Sequence, residues 1–521
     1  MTVDTTLLDL NQLVRYQAAI RPEDVAITFN GRQTTYGQLE ERANRVANGL
    51  RAISATPEVR IASLAKNTDT FYEVVFGAAK ARDVIVPVNW RLAPAEGAYI
   101  INDALAEVLL VGEESYALVA QIRSELRTVC KIIALGGNHP EWEAYVDWRD
   151  RQPGGDPQLA ISVEDVALQL YTSGTTGHPK GAQITHGNLL AALNATNEWY
   201  PCTAEDVSLA CMPQFHIGGS LLGLIALHAG ARAVIMPEPV PADILRLIPG
   251  ERVNQAFFVP ALMLFLLQTP GCRDVDFSSL KRIVYGASPI PLDLLRDAVS
   301  TFKCDFGHLY GLTETTGVVT VLPPEDHDPA GAPRMRSCGK PLSNVELKVV
   351  GSDDTELEPG QVGEIVVRSP QVMKGYWNLP EATASTIREG WLRTGDAGYF
   401  DADGYPYIQD RVKDMIISGA ENIYPAEVES ALFGHPAVAD VAVIGIPDQR
   451  WGEAVKAIVV LKPGATASAA ELIAFSRERI AHFKSPSSID FVESLPRNAS
   501  GKLLKRVLRA PYWEGRERQV N

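Results

Sequence analysis

Leu168-Gln-Leu-Tyr-Thr-Ser-Gly-Thr-Thr-Gly-His-Pro-Lys-Gly181 is the most informative stretch of this 521-residue chain. Leu168–Tyr171 reads as a short apolar strand, and it runs directly into a loop of hydroxyls and glycines that ends in a lysine. A polyphosphate needs several donors within a few ångströms. Gly174 and Gly177 let the backbone approach and turn its N–H groups inward. Thr172, Ser173, Thr175 and Thr176 add hydroxyl donors, and Lys180 supplies charge. A Ser/Gly/Thr stretch alone is more often a linker. The strand in front and the lysine spacing favour a phosphate cradle. It is not a Walker A loop, because Lys180 stands three places after Gly177 and is followed by Gly181 rather than Ser or Thr.

Strand and helix patterns alternate on both sides of this loop. Helical spacing covers Tyr36–Leu50 and Phe71–Ala81. Short apolar or β-branched runs occur at Arg60–Leu64, Val84–Val88, Val108–Val111, Ala233–Met236 and Arg282–Tyr285. That alternation predicts an α/β fold with parallel, helix-covered sheets. Val207–Ala231 lacks Asp, Glu, Lys and Arg, but its apolar part, Leu221–Leu227, is far too short to span a bilayer and reads as a buried core helix. Ala256–Leu267 reads as a short strand followed by a helix opening at Pro260. Leu322–Leu342 is a Pro/Gly-rich loop. From about 340 to 410 the pattern becomes β-rich, with strands at Val345–Val350 and Glu364–Val367. Beyond Arg411 a compact α+β unit is expected. Its helices are Pro425–Phe433 and Ala469–Ile480, and its strands are Val438–Ile444, Val455–Leu461 and Ile489–Val492.

Composition narrows the function. The chain is 46% hydrophobic and 21% charged, with a formal net charge of -15. That acidity argues against nucleic acid as a partner, since binding it requires clustered Lys and Arg, and against an anionic membrane surface. No integral membrane segment is expected, and Met1–Leu10 has no signal-peptide pattern. Six scattered cysteines without a C-x-x-C pair read as free thiols of a cytoplasmic protein.

The loop resembles the signature loop of the adenylate-forming superfamily, which includes acyl-CoA and aryl-CoA synthetases. The resemblance continues through six further segments in the family's order. It implies a large N-terminal adenylation domain over 1–412, with its β-rich subdomain, and a small mobile C-terminal domain over 413–521. The implied activity is ATP-dependent ligation of a carboxylic acid to coenzyme A with Mg²⁺, through an acyl-adenylate.

The same resemblance implies roles for individual residues. In Tyr310-Gly-Leu-Thr-Glu-Thr315, Tyr310 packs on adenine, Gly311 belongs to the ATP/AMP-binding set, Thr313 touches the α-phosphate, and Glu314 holds Mg²⁺, a hard cation suited to carboxylate and phosphate oxygens. Gly286-Ala287-Ser288 forms an adenine-side turn. Asp396, in Trp391-Leu-Arg-Thr-Gly-Asp396, accepts the ribose hydroxyls, with Arg411 beside it. His216, in Pro213-Gln-Phe-His-Ile-Gly-Gly219, orients or gates the acid, and Ile217, Gly218, Tyr285 and Leu309 line the acyl site. Lys502, in Pro496-Arg-Asn-Ala-Ser-Gly-Lys502, bridges carboxylate and α-phosphate. Lys413 is the hinge.

Coenzyme A contacts fall on Ser418, Gly419, Ala420, Glu421, Trp451, Phe483 and Lys484. Ala420 stands where relatives usually carry Gly. Ser485 stands where some carry Arg, which leaves Lys484 for a phosphate contact. Leu309 occupies a position where many fatty-acid ligases place Gly, so the acid is expected to be short- to medium-chain, branched or compact aromatic. A long-chain fatty acid, a stand-alone adenylation domain loading a carrier protein, a luciferase-like oxygenase and a non-catalytic nucleotide-binding regulator are the alternatives. Oligomeric state is open, a homodimer included.

Overall fold

A computed structural model describes residues 6–172, 178–328, 330, 332–411, 414–418, 421–497 and 503–514. Four sheets organise them. The first has nine strands in the spatial order Lys340–Pro341, Gly317–Leu322, Asp305–Leu312, Arg282–Gly286, Gln255–Phe258, Val207–Ala210, Arg232–Ile235, Val25–Phe29 and Arg32–Thr35. Its inner six strands, Asp305–Leu312 through Val25–Phe29, pair in parallel, with antiparallel strands at both ends. The second has eight strands, in the order Gly375–Tyr376, Lys180–Thr185, Val166–Thr172, Val84–Val88, Arg60–Leu64, Val108–Val111, Lys131–Ala134 and Glu143–Ala144. It is parallel except where Lys180–Thr185 pairs with its two neighbours.

The inner parallel strands are short, apolar and buried, as strands covered on both faces must be. One hydrophobic core joins the two sheets. It takes Ile27 and Ala233 from the first, Ile61, Ile85 and Leu168 from the second, and helix residues such as Leu39, Phe76 and Leu224 from between them. The helix Tyr36–Ile53 opens on a capping box between Thr35 and Gln38. It packs closely on the helix Thr70–Ala81, where a Cβ on Gly77 would collide with Val46.

A third, antiparallel sheet contains Glu346–Val350, Gly363–Arg368, Ile387–Arg388, Trp391–Phe400 and Pro406–Arg411. A fourth is built wholly from Ile416–Ser418, Glu421–Ile423, Val438–Asp448, Gly452–Leu461 and Ser488–Phe491, around its own core.

The buried core helix expected at Leu221–Leu227 forms as Ile217–Ala229, preceded by the strand Val207–Ala210 and by a tight turn in which a Cβ on Gly219 would meet the Pro213 carbonyl. Two sequence expectations change. The helix expected over Ala469–Ile480 stops at Arg477, and the Arg479 and Ile480 amides bond back to the Ser476 carbonyl as a turn. The strand expected to end at Ile444 continues to Asp448, because its partner Gly452–Leu461 pairs along the whole length of a long hairpin. No helix of the described residues is long and apolar enough to cross a membrane. The six cysteines are free.

Candidate active site

The phosphate-loop expectation can be followed at its two ends. Thr172 closes the strand Val166–Thr172, Lys180 opens Lys180–Thr185, and the two are cross-strand partners. Ser173, Gly174, Thr175, Thr176 and Gly177 lie outside the described residues. The flanks are anchored: the Tyr171 hydroxyl donates to Asp103 at 2.6 Å, and the His178 ring stacks on Tyr99 with centroids 4.5 Å apart.

Lys180 Nζ lies 5.0 Å from the ring centre of Tyr376, within cation–π range. The Tyr376 hydroxyl donates to Glu314 Oε1 at 2.8 Å, and the Glu314 carbonyl accepts from the Met373 amide at 2.9 Å. Tyr376 arrives here because Gly375–Tyr376 adds to the edge of the strand that begins with Lys180. Burial, then the nearby Glu314 charge, push its hydroxyl well above the ordinary tyrosine range, so it stays a donor. Sequence reasoning missed Tyr376. Its signal was Lys374-Gly-Tyr-Trp377, a segment that reads only as a turn until its pairing with Lys180–Thr185 is known.

Tyr310-Gly-Leu-Thr-Glu-Thr315 ends one strand of the nine-stranded sheet and starts a 3₁₀ turn at Thr313. A Cβ on Gly311 would run into the Gly317 carbonyl, so the close backbone approach requires glycine there. Tyr310 donates to Asp396 Oδ2 at 2.8 Å, and Arg411 Nε meets Asp396 Oδ1 at 2.8 Å. Asp396 and Arg411 are themselves cross-strand partners, and Gly395 before them has φ +70°. Arg411 Nη1 also donates to the Thr394 carbonyl at 3.0 Å. The buried Asp396 is thus held on two sides. Burial and the Asp396 charge keep the Tyr310 hydroxyl protonated. The expected adenine-side turn follows a neighbouring strand of the same sheet: Gly286 ends that strand, Ala287 takes a left-handed φ of +66°, and Ser288 follows. A non-glycine residue held there is a strained backbone of the kind found at ligand sites.

The acyl candidates divide. His216 immediately precedes the helix that begins Ile217-Gly218. It is half-buried with its Nε2 enclosed, and desolvation pushes its imidazole down to about 4, so it is neutral near pH 7. Its Nε2 has no hydrogen-bond partner among the described residues, an orphaned polar atom of the kind a ligand group can satisfy. Ile217 lies near Gly317, and Gly218 lies against Phe257.

Tyr285 does not belong with Leu309. The register pairs Tyr285 with His308 and Gly286 with Leu309. Successive strand residues point to opposite faces, so Tyr285 faces away from Leu309. Its ring stacks on His308 at 4.9 Å, and its hydroxyl bonds to His327 at 3.1 Å. It is fully buried.

Among the coenzyme A candidates, Ser418 pairs across the sheet with both Glu421 and Gly452, which sets it beside Trp451. Trp451 and Phe483 are 49% and 51% exposed, unusual for such large apolar side chains. Lys484 differs from expectation. Its ammonium is held by both oxygens of Glu427, at 2.9 and 2.8 Å, so its charge is already matched. Gly419, Ala420, Lys413 and Lys502 lie outside the described residues.

Residues 14–377 match the family described as AMP-binding enzyme, and residues 427–502 match the AMP-binding enzyme C-terminal domain. A fatty acid–[acyl-carrier-protein] ligase of Streptomyces coeruleorubidus is 39% identical over 99% of this chain and 98% of its own length. A feruloyl-CoA synthase of an Amycolatopsis species is 38% identical over 95% and 97%. The crystal structure of ATP-bound MatB from Rhodopseudomonas palustris superimposes with a TM-score of 0.88 at 30% identity, covering 96% of this chain and 99% of that one. The family match over most of the chain, together with sequence and fold shared over nearly its whole length with these proteins, places the chain in the adenylate-forming AMP-binding enzyme family, as an AMP-forming ligase.

Proposed function

We propose that this ligase activates a compact carboxylic acid, short- to medium-chain, branched or small aromatic, and passes the acyl group to the thiol of coenzyme A. The observation that carries the reading is the adjacency of two prepared groups, Tyr310–Asp396–Arg411 and Lys180–Tyr376–Glu314, joined through the short segment in which Tyr310 lies near the end of a strand and Glu314 sits in the 3₁₀ turn that follows. The first suits a ribose and the second a polyphosphate.

The acid's carboxylate oxygen attacks the α-phosphorus of ATP, and the bond to pyrophosphate breaks. The resulting mixed anhydride has AMP as a good leaving group, which the thiolate sulfur displaces. Two anions meet in the first step, so fixed positive charge must offset their repulsion. Lys180 supplies part of it, and Lys502 is proposed for the carboxylate end. Neutral His216 presents its orphaned Nε2 to the acid. No cluster of three or more His, Cys, Asp or Glu side chains among the described residues could hold a metal alone. One carboxylate steadied by a hydroxyl fits Mg²⁺ instead, which keeps waters and takes substrate phosphate oxygens. Glu314 would hold it, and the ion would neutralise phosphate charge. The chain divides in this reading at 412–413, with Lys413 as the hinge between the two steps.

A carrier-protein thiol is the second reading for the acceptor. It is favoured by the pairing of Lys484 with Glu427 and by Ser485, which leave less cationic charge for a nucleotide phosphate beside Phe483. The 39% identical relative is named for a carrier-protein substrate. Acid-dependent exchange of labelled pyrophosphate into ATP, run across acids of graded length and benzoates, tests the first step. Acyl transfer to free coenzyme A against transfer to a holo-carrier protein then decides the acceptor. Absence of exchange with every acid would remove the proposal.

A further inference from the structure

Behind the ribose seat lies a second knot of charge that the adenylation chemistry does not use. Asp410 directly precedes Arg411, and its backbone pairs with Ala397 in the β-rich sheet. Its carboxylate accepts from the Ala426 amide at 3.0 Å, in the first turn of the helix Pro425–Phe433, and lies 3.6 Å from Lys505 Nζ. Lys505 is the first residue of the helix Lys505–Trp513. The same ammonium meets Glu429 Oε1 at 2.9 Å, and that oxygen also accepts from the Val443 amide at 2.8 Å. One turn further on, Arg509 pairs with Asp414. The side chains of Lys505 and Asp410 are only 12% and 8% exposed. Burial opposes the Lys505 charge, but Asp410 and then Glu429 outweigh it and hold the ammonium above its ordinary range.

The Asp410 carboxylate's contacts with Ala426 and Lys505 both cross the chain position 412–413. Asp410 belongs to the strand before it, and Ala426, Lys505 and the Glu429 that Lys505 also holds come after it. A buried ion pair is a poor source of stability, since two hydrophobic side chains would serve as well or better. It does specify one arrangement, and it can part when water reaches its members.

We infer that Asp410 and Lys505 form a clamp across 412–413 that holds the fourth sheet and its helices in the orientation seen here against the nucleotide site, which makes Lys505 a positioning residue for adenylate formation. This rests on the two-step ligase reading. The first step is the one affected because Lys505 follows Lys502, proposed above for the carboxylate end, by three residues, and because Leu503 and Leu504 are tied to the chain before Lys502, through the Arg497–Leu503 bridge and the Leu504 amide donating to the Pro496 carbonyl at 2.9 Å. Setting Lys505 against Asp410 sets Leu503, Leu504 and these two partners against the strand that ends in Arg411.

The test separates the half-reactions in the full-length chain. Lys505→Met and, as the milder change, Asp410→Asn should each slow acid-dependent pyrophosphate exchange by about tenfold. Thioester formation from supplied acyl-adenylate should change by less than about twofold. Lys505→Arg should recover most of the exchange, and the double variant should be no slower than the worse single one, because both break the same contact. Equal losses in both half-reactions by variants that melt as the unaltered protein does, or exchange untouched by either substitution, would overturn the clamp and leave the ligase reading standing. No exchange by the unaltered protein would sink the ligase reading and the clamp together.

Discussion

Replacing Tyr376 by phenylalanine removes one oxygen and leaves the ring under Lys180. The lost contact is the 2.8 Å hydrogen bond to Glu314 Oε1. A hydrogen bond to a charged group is worth about 1.5–3 kcal/mol, and Tyr376 is buried, so water has little room to replace its hydroxyl. Removing a group that orients a metal ligand typically costs about 10–100-fold in metal affinity. The lower end corresponds to about 1.4 kcal/mol and is the better expectation here, because the Glu314 backbone remains fixed by the Met373 amide. The Mg²⁺ concentration giving half-maximal pyrophosphate exchange should therefore rise about tenfold. The rate at saturating Mg²⁺ should fall by less than about threefold, since Lys180 keeps its aromatic support. A parallel measurement without turnover follows ATP binding as Mg²⁺ is titrated, and the same displacement should appear. An unchanged Mg²⁺ dependence, or a loss that no Mg²⁺ concentration repairs, would refute the view that Tyr376 acts through Glu314.

Leu309→Ala should favour longer acids. Each added methylene that finds apolar contact contributes about 0.8 kcal/mol, so kcat/KM for an acid three carbons longer should gain up to about sixtyfold over the original optimum; an unchanged ranking of acids would separate Leu309 from the pocket. Asp396→Asn weakens the bonds to Arg411 and Tyr310. It should lower kcat/KM for ATP by at least about tenfold with little change in KM for the acid, and a loss confined to the acid would move Asp396 out of the ribose seat. His186, His216, His308 and His327 are each pushed down to about 4 by burial. The unfolded chain takes those protons near 6.5 while the fold resists until about 4, so each ring costs stability as the pH falls through that window. Imidazole NMR should show these four unchanged between pH 8 and 5.5, and a ring titrating near 6.5 would contradict its burial.

Much of the fold was legible because it is written in local patterns. The buried parallel strands are near-continuous β-branched runs, as at Val84–Val88, and the helix starts carry recognisable caps, such as Pro260 and Pro425. The buried helix at Leu221–Leu227 was legible, but the strand Val207–Ala210 before it was not, because hydrophobicity alone does not distinguish a buried strand from a buried helix, and only the turn at Pro213 and Gly219 separates them. The candidate site was legible where a motif carries the residue that other elements gather around, as at Glu314 with Tyr376 and Asp396 with Tyr310 and Arg411. Tyr376 was invisible because its meaning depends on pairing with a strand nearly 200 residues earlier. Tyr285 was assigned to the wrong face because a motif gives order along the chain but not the strand phase, which the pairing with His308 fixes. Lys484 is assigned to a coenzyme A phosphate from its place in the motif, and its pairing with Glu427 is not legible there because Glu427 lies on a different element.

The strand Val25–Phe29 has its parallel partner, Arg232–Ile235, roughly 200 residues downstream, and Lys180–Thr185 waits a similar length for Gly375–Tyr376. At 5–20 residues per second, the growing chain leaves each of these apolar edges unpartnered for about 10–40 s on the ribosome. Slower translation lengthens that exposure, while cooling also weakens the hydrophobic contacts that would trap a misassembled chain. A truncation ending before Gly375 would leave Lys180 on an open sheet edge, a template for another chain to add to rather than a half-built enzyme.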